Sequence, residues 1–355
     1  MAISLKINKV TQSRIEEFDF EHIEFGKHFS DHMFKVDFKD GQWQDPEILP
    51  YGPIEVAPSI SAIHYGQAIF EGMKAFKNEQ TGKPQLFRPL ENHKRLNKSA
   101  LRMGMPEIPE ELFMLGLKTL IDIDQKWIPT KEGSALYIRP FMFATDDFVG
   151  VKPSNNYSFM IFCCPVNSYY PLPIKVLVEE SFVRASEGMA GYAKAAGNYG
   201  ISMLPTALAK QKGYDQIIWT DGKSHEYVEE SGTTNLFFVI NDKIVWTPAL
   251  DGNILNGITR DSCIQLLKQK GLTIEERKIS IKEVLEAAKN GQLTDCFGTG
   301  TAAIIAKIAA IGYKGEDYVL PNASDRFVSN WLYQQIYGIQ TGKFEDTFHW
   351  VESIS

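Results

Sequence analysis

Lys194 stands in the window Gly188-Met-Ala-Gly-Tyr-Ala-Lys194-Ala-Ala-Gly-Asn-Tyr199-Gly200, where nearly every neighbour is small and four are glycines. Bulky side chains are missing where a flat ligand would lie. A protonated lysine is a poor nucleophile, and burial or a nearby cation turns it into a good one. Lys194 is therefore a candidate for Schiff-base chemistry with a carbonyl compound. Such chemistry needs an electron sink. A pyridine ring serves when its nitrogen keeps a proton, which calls for a carboxylate partner. If the ring carries a phosphate, the chain must also offer backbone N–H groups at a helix start or tight turn, plus an arginine.

Each requirement has a candidate. Tyr227-Val-Glu229-Glu230-Ser-Gly-Thr233-Thr-Asn235-Leu-Phe-Phe sets two acids side by side before an apolar strand. Like charges this close raise each other's pKa unless a cation or proton donor sits near one of them. A protonated ring nitrogen would serve. Leu255-Asn-Gly-Ile258-Thr259-Arg260-Asp261 precedes an apolar helix expected from about Thr259 to Lys270, whose first turn offers N–H groups. Phe297-Gly-Thr-Gly-Thr301-Ala302 offers a second set, with two hydroxyls, and Leu86-Phe-Arg88-Pro89 puts a cation at a strand end. Taken singly, these are a solvated lysine, a loop acid, an N-cap and a surface arginine. Taken together, they answer every demand of pyridoxal phosphate.

Rival readings are weaker. Gly298-Thr-Gly300-Thr-Ala-Ala303 matches the G-x-G-x-x-A pattern of nicotinamide-dependent oxidoreductases, with Asp317 further on. The isoleucines that follow do not make a glycine-led helix, and no βαβ unit surrounds the match. His28 and His32 have the spacing of a metal-binding helix but lack a third ligand, so no metal is expected. A catalytically silent binding protein predicts no lysine-specific chemistry.

The elements that must position these residues fall in two parts. A chain of 355 residues suggests about two domains, at roughly 100–200 residues each. We expect a small N-terminal domain over 1–167, a linker over 168–180 where Pro171 and Pro173 follow Pro165, and a larger domain over 181–355. In the first part Phe34–Phe38 alternates with period two and runs into Asp40-Gly41, a hairpin signal. Glu91–Met103 and about Glu110–Lys126 read as helices, Ala135–Arg139 and Tyr157–Phe162 as buried strands. In the second part Lys175–Val178, Ser181–Arg184 and Gln216–Trp219 read as extended. Leu236–Ile240 and Lys243–Trp246 flank a turn at Asn241-Asp242. Ser280-Ile-Lys-Glu283 is a capping box, and a last helix runs from about Asp325 to Tyr337. A net charge of -7 argues against binding nucleic acid or anionic membranes. No apolar run reaches the roughly 20 residues of a membrane helix. The N-terminus lacks a signal peptide, and the four cysteines contain no C-x-x-C. We expect a cytoplasmic protein without disulfides.

Taken together the motifs resemble the branched-chain amino acid aminotransferases of the fold type IV pyridoxal phosphate enzymes, from about Gly26 to the C-terminus. His64-Tyr65-Gly-Gln-Ala-Ile-Phe70-Glu71-Gly72 and Leu136-Tyr137-Ile-Arg139-Pro140 belong to the likeness with the segments above. The resemblance implies an α+β fold of two domains, the smaller N-terminal and the larger strand-rich, with the cofactor between them. It implies that Lys194 holds the cofactor and shuttles the Cα proton. Glu230 would pair with the pyridine nitrogen and Tyr199 with the phenolic oxygen. Arg88, Ile258, Thr259 and Thr301 would hold the phosphate. Tyr137, Thr233, Thr301 and Ala302 would orient the substrate carboxylate. Tyr65, Phe70, Val149 and Val151 would line an apolar side-chain pocket, partly from a partner subunit, with Arg139 or Tyr169 taking the distal carboxylate of glutamate. Leucine, isoleucine and valine are the implied donors, 2-oxoglutarate the acceptor, and a homodimer the assembly. Alternatives within the fold are a D-amino acid aminotransferase or an aminodeoxychorismate lyase. Some members carry a redox C-x-x-C after the Gly-Thr-Ala turn. Here those positions are Ala303 and Ala306, so thiol regulation is not expected.

Overall fold

Asp40 and Gly41 both take positive φ, 54° and 76°, the geometry of a two-residue hairpin turn, and they join strands His32–Lys39 and Gln42–Trp43. Alternation along the first strand sends Phe34 and Val36 into the core and Met33 to the opposite face. The same rule builds the whole sheet. In a computed structural model that describes residues 3–354, two units separate. The first holds the chain up to Tyr169 together with Ala193–Gly197 and Gly338–Ser355, and the second holds Tyr170–Tyr192 and Asn198–Tyr337.

The first unit is a ten-stranded sheet, antiparallel except for the pairing of Lys6–Ile7 with Glu47–Pro50. At its centre Tyr157–Val166 pairs with His32–Lys39 and with Ala135–Ala144, which in turn pairs with Met73–Lys77. Helices Pro89–Arg102 and Glu110–Ile123 bury Leu96, Phe113, Leu117 and Ile121 in one core with Phe34, Ile138 and Ile161. The first helix starts two residues before the expected Glu91, because Pro89 is pre-set for the first helical position. The face opposite that core carries Lys74, Tyr137 and Arg139, since Lys74 and Tyr137 are register partners and directly opposed residues share a face.

In the second unit, strand Val228–Ser231 pairs with Gln216–Thr220 on one side and Thr234–Ile240 on the other. This closes six strands into a ring, which runs on through Ile174–Val178, Ile304–Tyr313 and Leu293–Gly300. The hairpin at Asn241-Asp242 forms with both residues at positive φ. The capping box makes both its bonds, Glu283 N–H to Ser280 Oγ and Ser280 N–H to Glu283 Oε2 (3.1 and 3.2 Å).

Several expectations change. The stretch expected as linker contains Ile174–Val178, a strand with parallel neighbours on both sides. Pro165 lies within a strand, in register with Leu136. Ser181–Arg184 makes no strand among the described residues; Glu179 Oε1 accepts the N–H groups of Ser181 and Phe182 (2.8 and 3.0 Å) and turns the chain. The last residues return to the first sheet, where Val351–Ser353 pairs with Pro84–Phe87. That return makes the first unit the longer one, against the expected order of size. Gly298-Thr-Gly300 ends a strand that turns back antiparallel into Ile304–Tyr313. No helix follows the glycines, so they cannot cradle a dinucleotide as a βα turn does.

Packing in the first core leaves no room at Gly116. A Cβ there would stand 2.7–2.8 Å from three ring atoms of Phe34, and Phe34 is fully buried. Gly116→Ala should therefore destabilise the fold by about 1–3 kcal/mol, the usual cost of overpacking. A shift of the urea midpoint to lower concentration checks this.

Candidate active site

Two groups of candidate residues form, one on each unit. On the first, the Lys194 segment is held as an added strand edge. Lys194 N–H donates to Ser99 Oγ (2.9 Å), Phe70 N–H donates to the Lys194 carbonyl (3.1 Å), and Ile69 bridges Ala195. Of the small residues read in the sequence, Ala193 and Ala195 are buried on either side of Lys194. Lys194 Nζ reaches 4.8 Å from the centre of the Phe70 ring, and the Arg139 guanidinium lies 4.6 Å from the same centre. Arg139 Nη2 donates to Tyr137 Oη (3.0 Å). Phe25 packs edge-on to both Tyr137 and Tyr169. Phe70, Tyr137, Arg139 and Tyr169 are thus brought together with Lys194, and Phe25 is an addition that no motif signalled. Gly72 makes the closeness possible: a Cβ there would stand 2.3 Å from Tyr137 Oη.

Beneath this cluster Glu71 is fully buried. Arg95 grips it with two bonds of 2.8 Å, and Asn92 Nδ2 adds a third of 2.8 Å. Burial works to raise the Glu71 pKa, but the charges and bonds of Arg95, the charge of Lys194 and the bond from Asn92 outweigh it and hold the group below its ordinary value. Arg88 is elsewhere. It takes φ 52° at the start of its helix, its guanidinium lies 5.3 Å from the centre of the Trp350 ring, and its N–H donates to the Trp350 carbonyl. Arg95, which the sequence reading passed over, shares the field of Glu71 with Lys194. An i, i+4 look along the helix from Glu91 would have found it. Lys74 was also passed over. Burial alone pulls its ammonium down to about 7. Tyr65, Val149 and Val151 are 45%, 65% and 89% exposed, and no described contact joins them to Phe70.

On the second unit Glu230 is buried where the ring of strands closes, in register with Asn235. Leu255 N–H and Asn235 Nδ2 donate to its Oε1 (2.9 and 3.1 Å), and Arg184 Nε lies 3.0 Å from its Oε2 as an ion pair without hydrogen-bond alignment. Asn235 also holds the Leu255 carbonyl (2.9 Å). Its amide lies so close to Gly257 that a Cβ there would stand 1.9 Å from Asn235 Oδ1. That glycine opens helix Ile258–Gln269 and has no side chain to cap it. Thr259 is buried in its first turn. Thr233 lies in the turn beside Gly300, whose Cβ position is 3.8 Å from the Thr233 carbonyl. The strand after Thr301 and Ala302 begins with Ile304 at φ 60°. A β-branched residue held there carries strain of about 1–3 kcal/mol, which the flanking ladder sustains. Tyr199 is half-buried in the short helix Ala196–Gly200.

The Amino-transferase class IV family profile matches residues 68–311. A protein of Staphylococcus epidermidis described as a probable branched-chain-amino-acid aminotransferase is 44% identical over 99% of this chain and 98% of its own. The branched-chain aminotransferase of Thermoproteus uzoniensis, solved with norvaline, superposes with a TM-score of 0.75 at 25% identity, covering 91% of this chain and all of that one. The branched-chain amino acid aminotransferase of T.th., solved with N-(5'-phosphopyridoxyl)-L-glutamate, superposes with a TM-score of 0.70 at 25% identity, covering 90% of this chain and 98% of that one. On this profile and this likeness, the chain belongs to the class IV aminotransferases, in the branched-chain amino acid aminotransferase family.

Proposed function

We propose that this chain moves the amino group of leucine, isoleucine and valine to 2-oxoglutarate, with pyridoxal 5'-phosphate as cofactor. The observation that carries the reading is Glu230. It is a buried carboxylate whose oxygens are fixed by Leu255, Asn235 and Arg184. Such a group suits a protonated pyridine nitrogen. Bound pyridoxal phosphate supplies a carbonyl that exchanges amino groups and a ring that accepts the electrons of the substrate Cα–H bond.

The chain's residues do the rest. Lys194 holds the cofactor and, once released, moves the proton at substrate Cα. Glu230 keeps the ring nitrogen protonated, and Tyr199 contacts the phenolic oxygen. The first turn at Ile258 and Thr259, with Thr301, holds the phosphate. Its cation is Arg95 rather than Arg88, because Arg95 shares the field of Glu71 with Lys194. Tyr137, Thr233, Thr301 and Ala302 orient the substrate carboxylate. Phe70, Tyr137, Tyr169 and Phe25 give an apolar aromatic wall for an aliphatic side chain. Arg139 stands at its edge to take the distal carboxylate of glutamate. We assign Tyr65, Val149 and Val151 to the pocket of a second copy, which makes a two-fold homodimer the working unit. All four cysteines are buried and free, which supports a reducing, cytoplasmic setting.

Several outcomes test this reading. Lys194→Ala should lose the covalent link to the cofactor and at least about 10³-fold in rate, the scale of losing a principal nucleophile. A transamination assay and the visible spectrum of purified protein read both, and near-normal turnover would remove Lys194 from its role. Arg95→Lys, which keeps the charge but loses the two-pronged grip, should weaken cofactor binding by about tenfold or more. Arg88→Ala should change it by less than about threefold. Spectral titration of the apoprotein decides between the two arginines. Over a panel of amino acids the three branched donors should differ by no more than roughly 1–3 kcal/mol in kcat/KM, the worth of one methylene in an apolar pocket. Activity should fall on dilution below the dimer dissociation constant, and a preference for D-alanine over L-leucine would overturn the substrate class.

A further inference from the structure

The second acid of the pair stands on the other side of its strand. Neighbours along a strand point to opposite faces, so Glu229 turns away from Glu230 toward a cavity of about 810 Å³ in the second unit. Glu229 is itself 3% exposed. Asn253 Nδ2 donates to its Oε1 (2.9 Å), while its Oε2 is buried without a hydrogen-bond partner. Arg184 connects the two acids. Its Nε lies 3.0 Å from Glu230, its Nη1 donates to the Gly191 carbonyl (3.4 Å), and its Nη2 donates to the Asn253 carbonyl. The residue that holds Glu229 is therefore also held by the arginine that holds Glu230.

We propose that Glu229 is a positioning residue that tunes Glu230 through the shared Arg184, so that proton loss from Glu229 strengthens the grip of Glu230 on the cofactor's ring nitrogen. The inference rests on the assignment of Glu230 to that nitrogen. An ionised Glu229 draws on the positive charge of Arg184. Glu230 then keeps more of its own charge for the ring nitrogen's proton. A neutral Glu229 leaves Arg184 wholly to Glu230, which weakens Glu230 as an acceptor.

The surroundings place this switch near neutrality. Burial is the main force raising the Glu229 pKa; Asn253 and Arg184 oppose it, Asp251 and Glu230 add to it, and the group arrives at about 7. Across the cavity the other charged groups are Glu187, Asp221, Lys223, Arg277 and Lys278. Two of these are committed elsewhere: Asp221 accepts the turn N–H groups of Ser224, Glu226 and Tyr227, and Arg277 pairs with Glu275 and Glu283.

The test uses protein loaded with pyridoxamine 5'-phosphate, in which Lys194 is not bonded to the cofactor. Cofactor absorbance is followed across pH, beside kcat and KM for leucine in the working enzyme. The native protein should show a transition in absorbance and in kcat with a midpoint near 7. Glu229→Gln, which keeps the Asn253 bond, should remove the transition and hold kcat at its low-pH level. That is about three- to tenfold below the native value on the alkaline side, with KM unchanged. Asp251→Asn removes a neighbouring anion and should move the midpoint to lower pH at the same amplitude. A native transition surviving in Glu229→Gln overturns the proposal. Should that variant fail to fold, an unmoved midpoint in Asp251→Asn overturns it instead. Glu230→Gln separates the two readings. If it leaves rate and spectrum intact, the ring-nitrogen assignment itself falls. If it damages both while Glu229→Gln keeps the native transition, only the tuning role falls.

Discussion

A carboxylate taken out of water must be compensated, and the second unit is organised around that demand at Glu230. Leaving such a charge unpaired in a protein interior costs several kcal/mol. The chain answers with three partners from three places: the Arg184 charge from the loop after Glu179, the Asn235 amide from the neighbouring strand and the Leu255 N–H from the loop before a helix. Each answer imposes a further condition. Asn235 can reach only because Gly257 has no Cβ. Leu255 is in place only because the same Asn235 holds its carbonyl. The strand that carries Glu230 is paired on both edges, so its side chain cannot swing. Ring closure, helix start and loop path are thus conditions of one another.

The first unit solves a related problem with the opposite charge. Its site face collects Lys74, Arg139 and Lys194, and a buried anion, Glu71, sits beneath them in the two-pronged hold of Arg95. Cations gathered this way favour ligands with carboxylate and phosphate groups. Aromatic rings separate them: Arg139 and Lys194 both lie over Phe70, and Phe25 covers Tyr137 and Tyr169. A surface that is cationic at its edge and aromatic along its wall accepts a carboxylate at one end and an aliphatic chain at the other. That is what a branched-chain amino acid presents. Arg139 also lies over the Tyr137 ring, 5.4 Å from its centre.

Much of this was legible before the structure, and the reasons are local. Lys194 was marked by its small neighbours, Glu230 by its doublet before an apolar strand, and the helix after Gly257 by its amphipathic run. The hairpins at Asp40-Gly41 and Asn241-Asp242 and the capping box at Ser280 depend on a few adjacent residues, so they formed where expected. Arg88 and Arg95 show where local reading stops. Both lie near one strand end, and in the fold Arg95 grips Glu71 while Arg88 packs on a distant aromatic ring. Trp350, more than two hundred residues away in the chain, takes Arg88.

The sequence by itself marked the candidates, a lysine with room, an acid pair before an apolar strand and backbone donors at a helix start, and it carried the residue patterns that name the family. It determined strands and helices wherever alternation or capping is a short-range matter. Tertiary structure alone decided which side chains meet. It returned Val351–Ser353 to the first sheet and bridged Ala195 to Ile69, it made a central strand of residues expected as linker, and it set Glu229 and Glu230 on opposite faces with Arg184 serving both. These outcomes depend on strand pairings between residues far apart in the chain. Such pairings are selected by the fit of whole faces, because burying one face correctly is worth more than any local preference along it.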